Sequence, residues 1–213
     1  MDSGRTRVKI CGITRAGDAL AAARAGADAI GLVFYPQSPR YVSPGQALQV
    51  LRDLPPLVTV VGLFLDADAA TVRDTLEQVP VDLLQFHGCE SAEYCRAFGR
   101  PYIKAVPMSE ESEGYTEAFV SAYPDARGFL VDSHAPGAAG GTGQGFDWQR
   151  LGGRPLRPLI LAGGLNPDNV AAAVAAVKPW AVDVSSGVES APGHKDTALM
   201  QRFVQGVYGG LTD

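Results

Sequence analysis

The sequence has few of the residues from which disulfide frameworks and metal centres are built. Its 213 residues include three cysteines and three histidines. The cysteines, Cys11, Cys89 and Cys95, are odd in number and form no CxxC pair, which argues against a disulfide framework or a zinc knuckle. No pair among Cys11, His87, Cys89 and His134 has a recognised ligand spacing. We therefore expect no bound metal.

Long apolar runs and blocks of like charge are also missing. No stretch reaches the roughly 18 apolar residues of a membrane span, and residues 1–12 do not have the pattern of a signal peptide. The net charge is −5, and the basic residues are dispersed, whereas a nucleic-acid or membrane surface needs a clustered basic field. We expect a cytoplasmic protein that binds neither a nucleic acid nor a membrane. A single bound phosphate stays open, because a helix N-terminus and a few local cations suffice for it.

Short β-branched runs alternate with segments of helical periodicity throughout the chain. Val72, Leu76 and Val79, for example, recur at helical spacing between two such runs. The runs that predict strands are Arg7–Ile10, Ala29–Phe34, Val58–Leu65, Asp82–Phe86, Tyr102–Val106, Gly128–Val131, Leu159–Leu161 and Ala181–Val184. Their nearly continuous hydrophobicity indicates a parallel sheet covered by helices. Eight units in this length favour an α/β fold with one (β/α)8 TIM barrel over residues 1–213, and a doubly wound open sheet is the alternative.

Several helix ends can be predicted from local signals. Ser43-Pro44-Gly45-Gln46 predicts a capping box with proline at the first helical position, and Asn166-Pro167-Asp168 predicts another helix start. Thr14 is placed to cap the first helix and Gly26 to end it. Residues 111–123 predict a further helix.

Unusual residues collect directly after the predicted strands. In a parallel barrel all strands end at one face, and that face carries the chemistry. The segments in question are Cys11-Gly12, Tyr35 to Arg40, Asp66, His87-Gly88, Asp132-Ser133-His134, Ala162-Gly163-Gly164 and Ser185-Ser186-Gly187. This coincidence indicates an active site at that face.

Glycine-rich loops at the same face predict a phosphate site. Gly140-Gly141-Thr142-Gly143, Gly163-Gly164 and Ser186-Gly187 follow the sixth, seventh and eighth predicted strands. Glycine lets backbone N–H groups approach an anion, and loops after the last two strands are the usual phosphate site of such barrels. Tight turns would explain any one of these loops, but their convergence favours phosphate.

Several side chains at this face are candidates for acid–base chemistry. Cys11 is a base or nucleophile only as a thiolate, and Lys9 and the first helix N-terminus are candidates for lowering its pKa. Asp132 ends an apolar strand, where desolvation would raise the pKa of its carboxyl and suit a general acid. Asp183 lies inside a strand and is either a buried partner of a charged group or a second site residue. Arg40 can offer a bidentate fork to a carboxylate. The alternatives are that Cys11 is a buried, inert thiol, that Asp132 caps a loop and that Arg40 is solvated.

The motifs, taken in order, resemble those of the phosphoribosylanthranilate isomerases. They cover nearly the whole chain, and although each is weak alone the ordered set is specific. Phe86 stands where the family more often has leucine. The motifs are Lys9-Ile10-Cys11-Gly12, Ser38-Pro39-Arg40, Gln85-Phe86-His87-Gly88, Asp132-Ser133, Gly140-Gly141-Thr142-Gly143, Phe146-Asp147-Trp148, Leu161-Ala162-Gly163-Gly164-Leu165, Asp183-Val184-Ser185-Ser186-Gly187-Val188-Glu189 and Lys195-Asp196.

The resemblance implies an Amadori rearrangement of N-(5-phosphoribosyl)anthranilate in tryptophan biosynthesis, without a cofactor. It assigns Asp132 as the general acid, Cys11 as the general base and Arg40 as the ligand of the anthranilate carboxylate. His87 and Asp183 become further substrate contacts. The phosphate is assigned to Gly141, Gly143, Gly163, Gly164, Ser186 and Gly187.

Two other functions fit the same patterns. One is another barrel enzyme of the tryptophan or histidine pathways that acts on a phosphorylated sugar, and Arg40 and Cys11 would decide the substrate. The other is a phosphosugar-binding protein without activity, which would leave a paired acid and base unexplained. The helix patterns allow either a monomer or a homodimer.

Overall fold

A computed structural model describes residues 4–108, 114–132 and 157–209, and within them eight parallel strands close into a barrel in the order β1 to β8. The strands are β1 (Arg7–Cys11), β2 (Ala29–Val33), β3 (Thr59–Phe64), β4 (Leu83–Phe86), β5 (Tyr102–Pro107), β6 (Gly128–Asp132), β7 (Leu159–Leu161) and β8 (Ala181–Val184). The helices are α1 (Ala16–Ala25), α2 (Pro44–Leu51), α3 (Ala69–Gln78), α4 (Ala92–Arg96), α5 (Glu117–Ala122), α6 (Val170–Val177) and α7 (Thr197–Gly209). None of these helices is both long enough and apolar enough to span a bilayer.

The closed sheet confirms the predicted barrel and excludes the doubly wound alternative. β1 pairs in parallel with β2 on one side and with β8 on the other, so the sheet has no free edge. Each predicted strand is observed with its ends within one residue of the expected position. Nearly continuous apolar runs identify such strands well, because both of their faces are buried.

The core has two layers that follow from the alternation of side chains along each strand. The larger layer lies between the barrel and its helices and includes the fully buried Ile30, Leu84 and Phe129. The smaller layer fills the barrel interior and includes Ile103 and Leu130. Burial of one such side chain contributes about 1.5–3 kcal/mol, so the two layers together outweigh any single polar contact in the molecule.

Two of the predicted helix ends are confirmed. The Ser43 hydroxyl accepts a hydrogen bond from the Gln46 backbone N–H (3.3 Å), and the Gln46 side chain accepts one from the Ser43 N–H (2.9 Å). This is the complete capping box at the start of α2. Helix α1 ends at Gly26, whose φ of 100° is left-handed and favours glycine.

Other helix ends differ from the prediction. Thr14 does not cap α1: the N-cap is Arg15, and the Thr14 hydroxyl instead donates to the carbonyl of Gly193 (2.5 Å). Helix α6 begins later than expected, with Asn169 as its N-cap, because the turn before it is closed by the Asn166 side chain. Helix α5 is capped by Thr116 and is shorter than the predicted segment, of which residues 111–113 lie outside the described residues.

A short hairpin that the sequence did not predict lies between β8 and α7. A 3₁₀ turn (Ser186–Val188) leads into β9 (Glu189–Ala191), which pairs antiparallel with β10 (His194–Lys195). The hairpin brings Glu189 and Lys195 to the carboxyl end of the barrel strands, beside the loop that follows β2.

Candidate active site

A cavity of about 270 Å³ opens at the carboxyl end of the barrel strands. Residues from the ends of β1, β2, β3, β4, β6, β7 and β8 line it, which places the site at the face that the sequence indicated. The predicted site residues that line this cavity are Cys11, Arg40, His87, Asp132, Gly163, Gly164, Asp183 and Ser186. Gly187 does not line the described part of the cavity, and Gly141 and Gly143 lie outside the described residues.

The two-residue period of the strands points the polar side chains into the barrel. Lys9 and Cys11 are two residues apart on β1, so both face inward while Ile10 packs on the helix side. The register of the sheet sets Lys9 directly opposite Asp183 and Cys11 directly opposite Gly31. Strand pairing alone therefore brings a cation, a carboxylate and a thiol together.

Lys9 forms a buried ion pair beside the thiol of Cys11. Its ammonium lies 2.9 Å from Asp183 Oδ1 and both side chains are nearly inaccessible. Gly31 makes room for this arrangement: a β-carbon on Gly31 would lie 2.8 Å from Cys11 Sγ and 3.1 Å from Lys9 Nζ. Asp183 is thus the partner of a buried charge and also a cavity-lining residue, so both of its predicted roles are compatible with its position.

The pKa of Cys11 is set by opposing influences. Burial raises the pKa of the thiol above its ordinary value, and the nearby charge of Asp183 raises it further. The charge of Lys9, a hydrogen bond from Lys9 and the charge of Lys195 lower the pKa. Since the raising influences prevail, the thiol form dominates at neutral pH and Lys9 is the main group that favours the thiolate.

His87 lies between Gln85 and the carboxylate of Asp132. The side-chain amide nitrogen of Gln85 is 3.2 Å from His87 Nδ1, and His87 Nε2 is 3.8 Å from Asp132 Oδ2. Burial lowers the pKa of His87, so the ring is neutral at neutral pH. The Gln85 amide can donate to Nδ1 when the single ring proton of His87 is on Nε2, the nitrogen nearest Asp132.

A buried carboxylate fixes the loop that carries His87. Glu90 accepts hydrogen bonds from the backbone N–H groups of Asp66 and Gly88, each at 2.9 Å, and from Lys104 Nζ at 3.0 Å. Lys104 also donates to the carbonyl of Gly88 (2.5 Å). Because the loops after β3 and β4 share one anchor, the position of His87 is determined by packing behind the site.

The guanidinium of Arg40 already holds a carboxylate within the chain. Its Nε and Nη2 donate to the two oxygens of Glu189 at 2.8 and 2.7 Å, and Lys195 Nζ donates to the same carboxylate at 2.7 Å. Arg40 therefore does bind a carboxylate through two parallel hydrogen bonds, but this edge of its guanidinium is occupied by Glu189. The Arg40 stem crosses Gly12, where a β-carbon would lie 2.4 Å from Arg40 Cδ.

The loops after β7 and β8 fit closely together. Gly163 and Gly164 have φ angles of 81° and 67°, which other residues adopt only with strain. The Asn169 side chain donates to the carbonyl of Gly164 (3.0 Å) and holds this turn against the start of α6. A β-carbon on Gly187 would lie 2.0 Å from the carbonyl oxygen of Leu165, so Gly187 serves the packing of the two loops.

Three further residues contribute to the site although no role was predicted for them from the sequence. They are Gln85, Glu189 and Lys195, which appeared only as members of the family motifs. The signal for Gln85 was present, because it lies two residues before His87 on the same strand and must share its inward face. No comparable signal exists for Glu189 and Lys195, which reach the site through the hairpin. Within the described ranges, no group of three or more His, Cys, Asp or Glu side chains could hold a metal ion.

Together these features define a (β/α)8 barrel whose cavity is lined by a thiol, an imidazole and two carboxyl groups next to two glycine turns, the place where barrels of this class usually bind a phosphate. The family model described as "N-(5'phosphoribosyl)anthranilate (PRA) isomerase" matches residues 8–206. The chain belongs to this family.

The sequences of individual relatives align with this chain over almost their whole length. The N-(5'-phosphoribosyl)anthranilate isomerase of Nitrosococcus oceani is 54% identical over 203 residues, covering 95% of this chain and 98% of that protein. The enzyme of the same name from Acidithiobacillus ferrooxidans is 56% identical over 203 residues, with the same coverage.

Solved structures show the same fold. Phosphoribosyl anthranilate isomerase from Thermotoga maritima superposes with a TM-score of 0.83 at 40% identity, covering 96% of this chain and 99% of that one. A phosphoribosyl anthranilate isomerase in complex with reduced 1-(o-carboxyphenylamino)-1-deoxyribulose 5-phosphate has a TM-score of 0.80 at 39% identity, with the same coverage.

Proposed function

We propose that this chain converts N-(5-phosphoribosyl)anthranilate to 1-(2-carboxyphenylamino)-1-deoxyribulose 5-phosphate, the Amadori rearrangement of tryptophan biosynthesis. Family membership and the relatives' shared name support the reaction. The observation that carries its assignment to this site is that Cys11 and Asp132, from β1 and β6, line one cavity. A thiol and a carboxyl across one cavity can act as base and acid on a ligand between them.

The reaction is an isomerisation in which only protons and electron pairs move. Asp132 protonates the furanose ring oxygen, the bond between C1 and that oxygen breaks, and the nitrogen lone pair forms a Schiff base with C1. The thiolate of Cys11 then removes the proton from C2, and the electron pair of that bond gives an enolamine. Loss of the C2 hydroxyl proton and gain of a proton at C1 produce the ketone. Substrate and product have the same composition, so no external oxidant or reductant is needed.

The other site residues hold the substrate for these steps. The phosphate binds to the loops that contain Gly163, Gly164 and Ser186, with Gly187 supporting them. Gly141 and Gly143, which lie outside the described residues, are proposed to bind the same phosphate. The anthranilate carboxylate binds to Arg40, which lines the cavity.

His87 and Asp183 support the acid and the base. His87 places an N–H toward Asp132 and contacts the substrate beside it. Asp183 keeps the Lys9 ammonium next to Cys11, because the two side chains form a buried ion pair at 2.9 Å. Lys9 is therefore the group that makes a thiolate accessible at Cys11, since its charge and hydrogen bond lower the thiol pKa against the effect of burial.

Replacement of Cys11 by Ala and of Asp132 by Asn tests the assigned roles. Each change removes one proton-transfer group, so we expect kcat to fall by a factor on the order of 10² to 10⁴. The Kd of reduced 1-(o-carboxyphenylamino)-1-deoxyribulose 5-phosphate, measured by calorimetry, should stay within a few-fold of wild type. Near-normal turnover in either variant contradicts its role.

The matched control is Cys89→Ser. Cys89 is an exposed cysteine in the loop after β4, and its side chain does not line the described part of the cavity. We expect its kcat and KM to equal those of wild type. If Cys89→Ser loses activity as Cys11→Ala does, thiol loss in general, and not the position of Cys11, explains the result.

We also propose that residues 1–213 form a single barrel domain, that the protein acts in the cytoplasm and that it is a monomer or a homodimer. A relative from Thermotoga maritima, 38% identical with a TM-score of 0.80, is described as a monomeric form generated from a dimeric enzyme. That description supports the dimeric state as one of the two assemblies.

A further inference from the structure

Arg40, Glu189 and Lys195 form a buried cluster of two cations and one carboxylate. Their side chains are 10%, 5% and 0% exposed, respectively. Arg40 lines the cavity, whereas neither Glu189 nor Lys195 is among its described lining residues. In the described part of the cavity, Arg40 is therefore the member of the cluster that a bound ligand can contact.

Glu189 holds the side-on edge of the Arg40 guanidinium. This edge consists of Nε and Nη2, which donate to Oε1 and Oε2 at 2.8 and 2.7 Å. A guanidinium has five N–H donors, so an end-on edge formed by Nη1 and Nη2 can still grip a second carboxylate. Arg40 packs its stem against Gly12 and binds Glu189 through its side-on edge. These two contacts fix the orientation of the end-on edge.

Lys195 determines the charge of the cluster. Arg40 and Glu189 alone would cancel, and a neutral pair attracts an anion weakly. Lys195 Nζ donates to Glu189 Oε1 at 2.7 Å and to the carbonyl of Ser185 at 3.1 Å. Its charge leaves the cluster with a net charge of about +1, which a single carboxylate would neutralise.

We infer that Glu189 and Lys195 are positioning residues that make Arg40 a selective site for the aromatic carboxylate of the substrate. Glu189 sets the orientation of the guanidinium, and Lys195 keeps the cluster cationic. This inference rests on the proposed function, because it takes the anthranilate carboxylate as the ligand of Arg40. It adds that selectivity for the carboxylate depends on two residues that do not contact it.

Binding of two stable ligands tests the inference. The first is reduced 1-(o-carboxyphenylamino)-1-deoxyribulose 5-phosphate, and the second is the same molecule with a phenyl ring that has no carboxylate. For Glu189→Gln and Lys195→Met, calorimetry should show about tenfold weaker binding of the first ligand, the loss expected of one charge-assisted interaction. Binding of the second ligand should change by less than about twofold, since Arg40 has no partner on it.

The Arg40→Met background adds a test of coupling. Arg40→Met alone should lose the preference for the carboxylate, and adding Glu189→Gln to it should change neither Kd further. Steady-state kinetics of Glu189→Gln should show a raised KM for the natural substrate with kcat near that of wild type. A purely structural role of Glu189 would not give this separation.

Two outcomes would overturn the inference. Equal weakening of both ligands would mean general damage to the site. Tighter binding of the carboxylate ligand by Glu189→Gln would mean that Glu189 competes with the substrate for Arg40. If Glu189→Gln does not fold, Lys195→Met decides the question with the same pair of ligands.

Asp53→Asn is the matched control, because Asp53 pairs with Arg52 on an exposed surface at the end of α2, opposite the active-site face. Both ligands should bind it as they bind wild type. Wild-type turnover separates the two proposals. Absence of isomerase activity would contradict the proposed function, whereas normal activity with unchanged ligand selectivity in the variants would contradict only the inference.

Discussion

The reactivity of Cys11 depends on two charges of opposite sign at the bottom of the cavity. Lys9 lowers the pKa of the thiol, whereas the charge of Asp183 and the burial of the thiol both raise it. In the proposed reaction Cys11 is the base and must be deprotonated, so the active fraction of the enzyme should grow as pH rises toward the pKa of Cys11. The pH dependence of kcat/KM, which reports groups of the free enzyme, should therefore rise with pH on a limb that belongs to this thiol.

Changing each charge in turn should move this limb in opposite directions. Lys9→Met removes the influence that lowers the pKa of Cys11, so the limb should shift to higher pH and activity at neutral pH should fall. Asp183→Asn removes a charge that raises the pKa, and its amide oxygen can still accept the hydrogen bond that keeps Lys9 in place, so the limb should shift to lower pH. Both variants break the same buried pair and should each lose about 3–5 kcal/mol of stability in urea unfolding. Shifts in the same direction would show that disruption of the pair, and not its charges, controls the thiol.

Helix α2 illustrates how a local element supports the site. Its N-cap, Ser43, lies three residues after Arg40, and the capping box fixes the point where the loop after β2 becomes helical. The cap satisfies backbone N–H groups that have no partner within the helix. The path of the loop, and with it the stem of Arg40, is thereby defined from its C-terminal side.

Ser43→Ala should destabilise the fold by about 1 kcal/mol, because it removes the hydroxyl that accepts the Gln46 N–H. The free energy of unfolding, measured by urea titration, gives this difference directly. Ser43→Thr keeps a capping hydroxyl and should retain most of the stability. If Ser43→Ala is as stable as wild type, the box contributes nothing beyond the helix itself.

At the scale of the whole molecule, the closed barrel couples the proposed phosphate-binding loops to global stability. The loops after β7 and β8 pack through Gly187 and Leu165, and β7 and β8 are neighbours in the sheet. A ligand that binds only the folded arrangement of these loops stabilises the whole domain by mass action.

Inorganic phosphate should therefore raise the Tm of the protein. At a concentration about 100 times its Kd, the stabilisation is about 2.7 kcal/mol. For a chain of this size each kcal/mol corresponds to about 2–4 °C, which differential scanning calorimetry resolves readily. Chloride at the same ionic strength is the control, and an equal rise with both anions would contradict a specific phosphate site.

Much of this architecture was predictable because burial leaves a local pattern. The β-branched runs identified all eight strands of the barrel, and the residues that follow them identified the face with the cavity. Cys11 and Asp132 were placed at this cavity in this way, since the position of a strand end is a property of a few neighbouring residues. The capping box of α2 is equally local, spanning only Ser43 to Gln46.

The partners of the site residues were not predictable in the same way. Lys9 and Asp183 are separated by 174 positions, and Arg40 and Glu189 by 149. Thr14 has the local features of a helix cap, but its hydroxyl donates a hydrogen bond to the carbonyl of Gly193, 179 positions away. A pattern within a short window carries no information about which distant segment will pack against it.

The sequence by itself thus determined that the chain forms a barrel, which face carries the cavity and which family the chain resembles, because those depend on local periodicity and on residues at strand ends. Only the tertiary structure decided that Arg40 is held by Glu189 and Lys195, that Lys9 stands beside Cys11 and that Gly187 serves loop packing. The reason is physical: burial of a side chain follows from its immediate neighbours, whereas the charge beside it is set by closure of the barrel, which brings the two ends of the chain together.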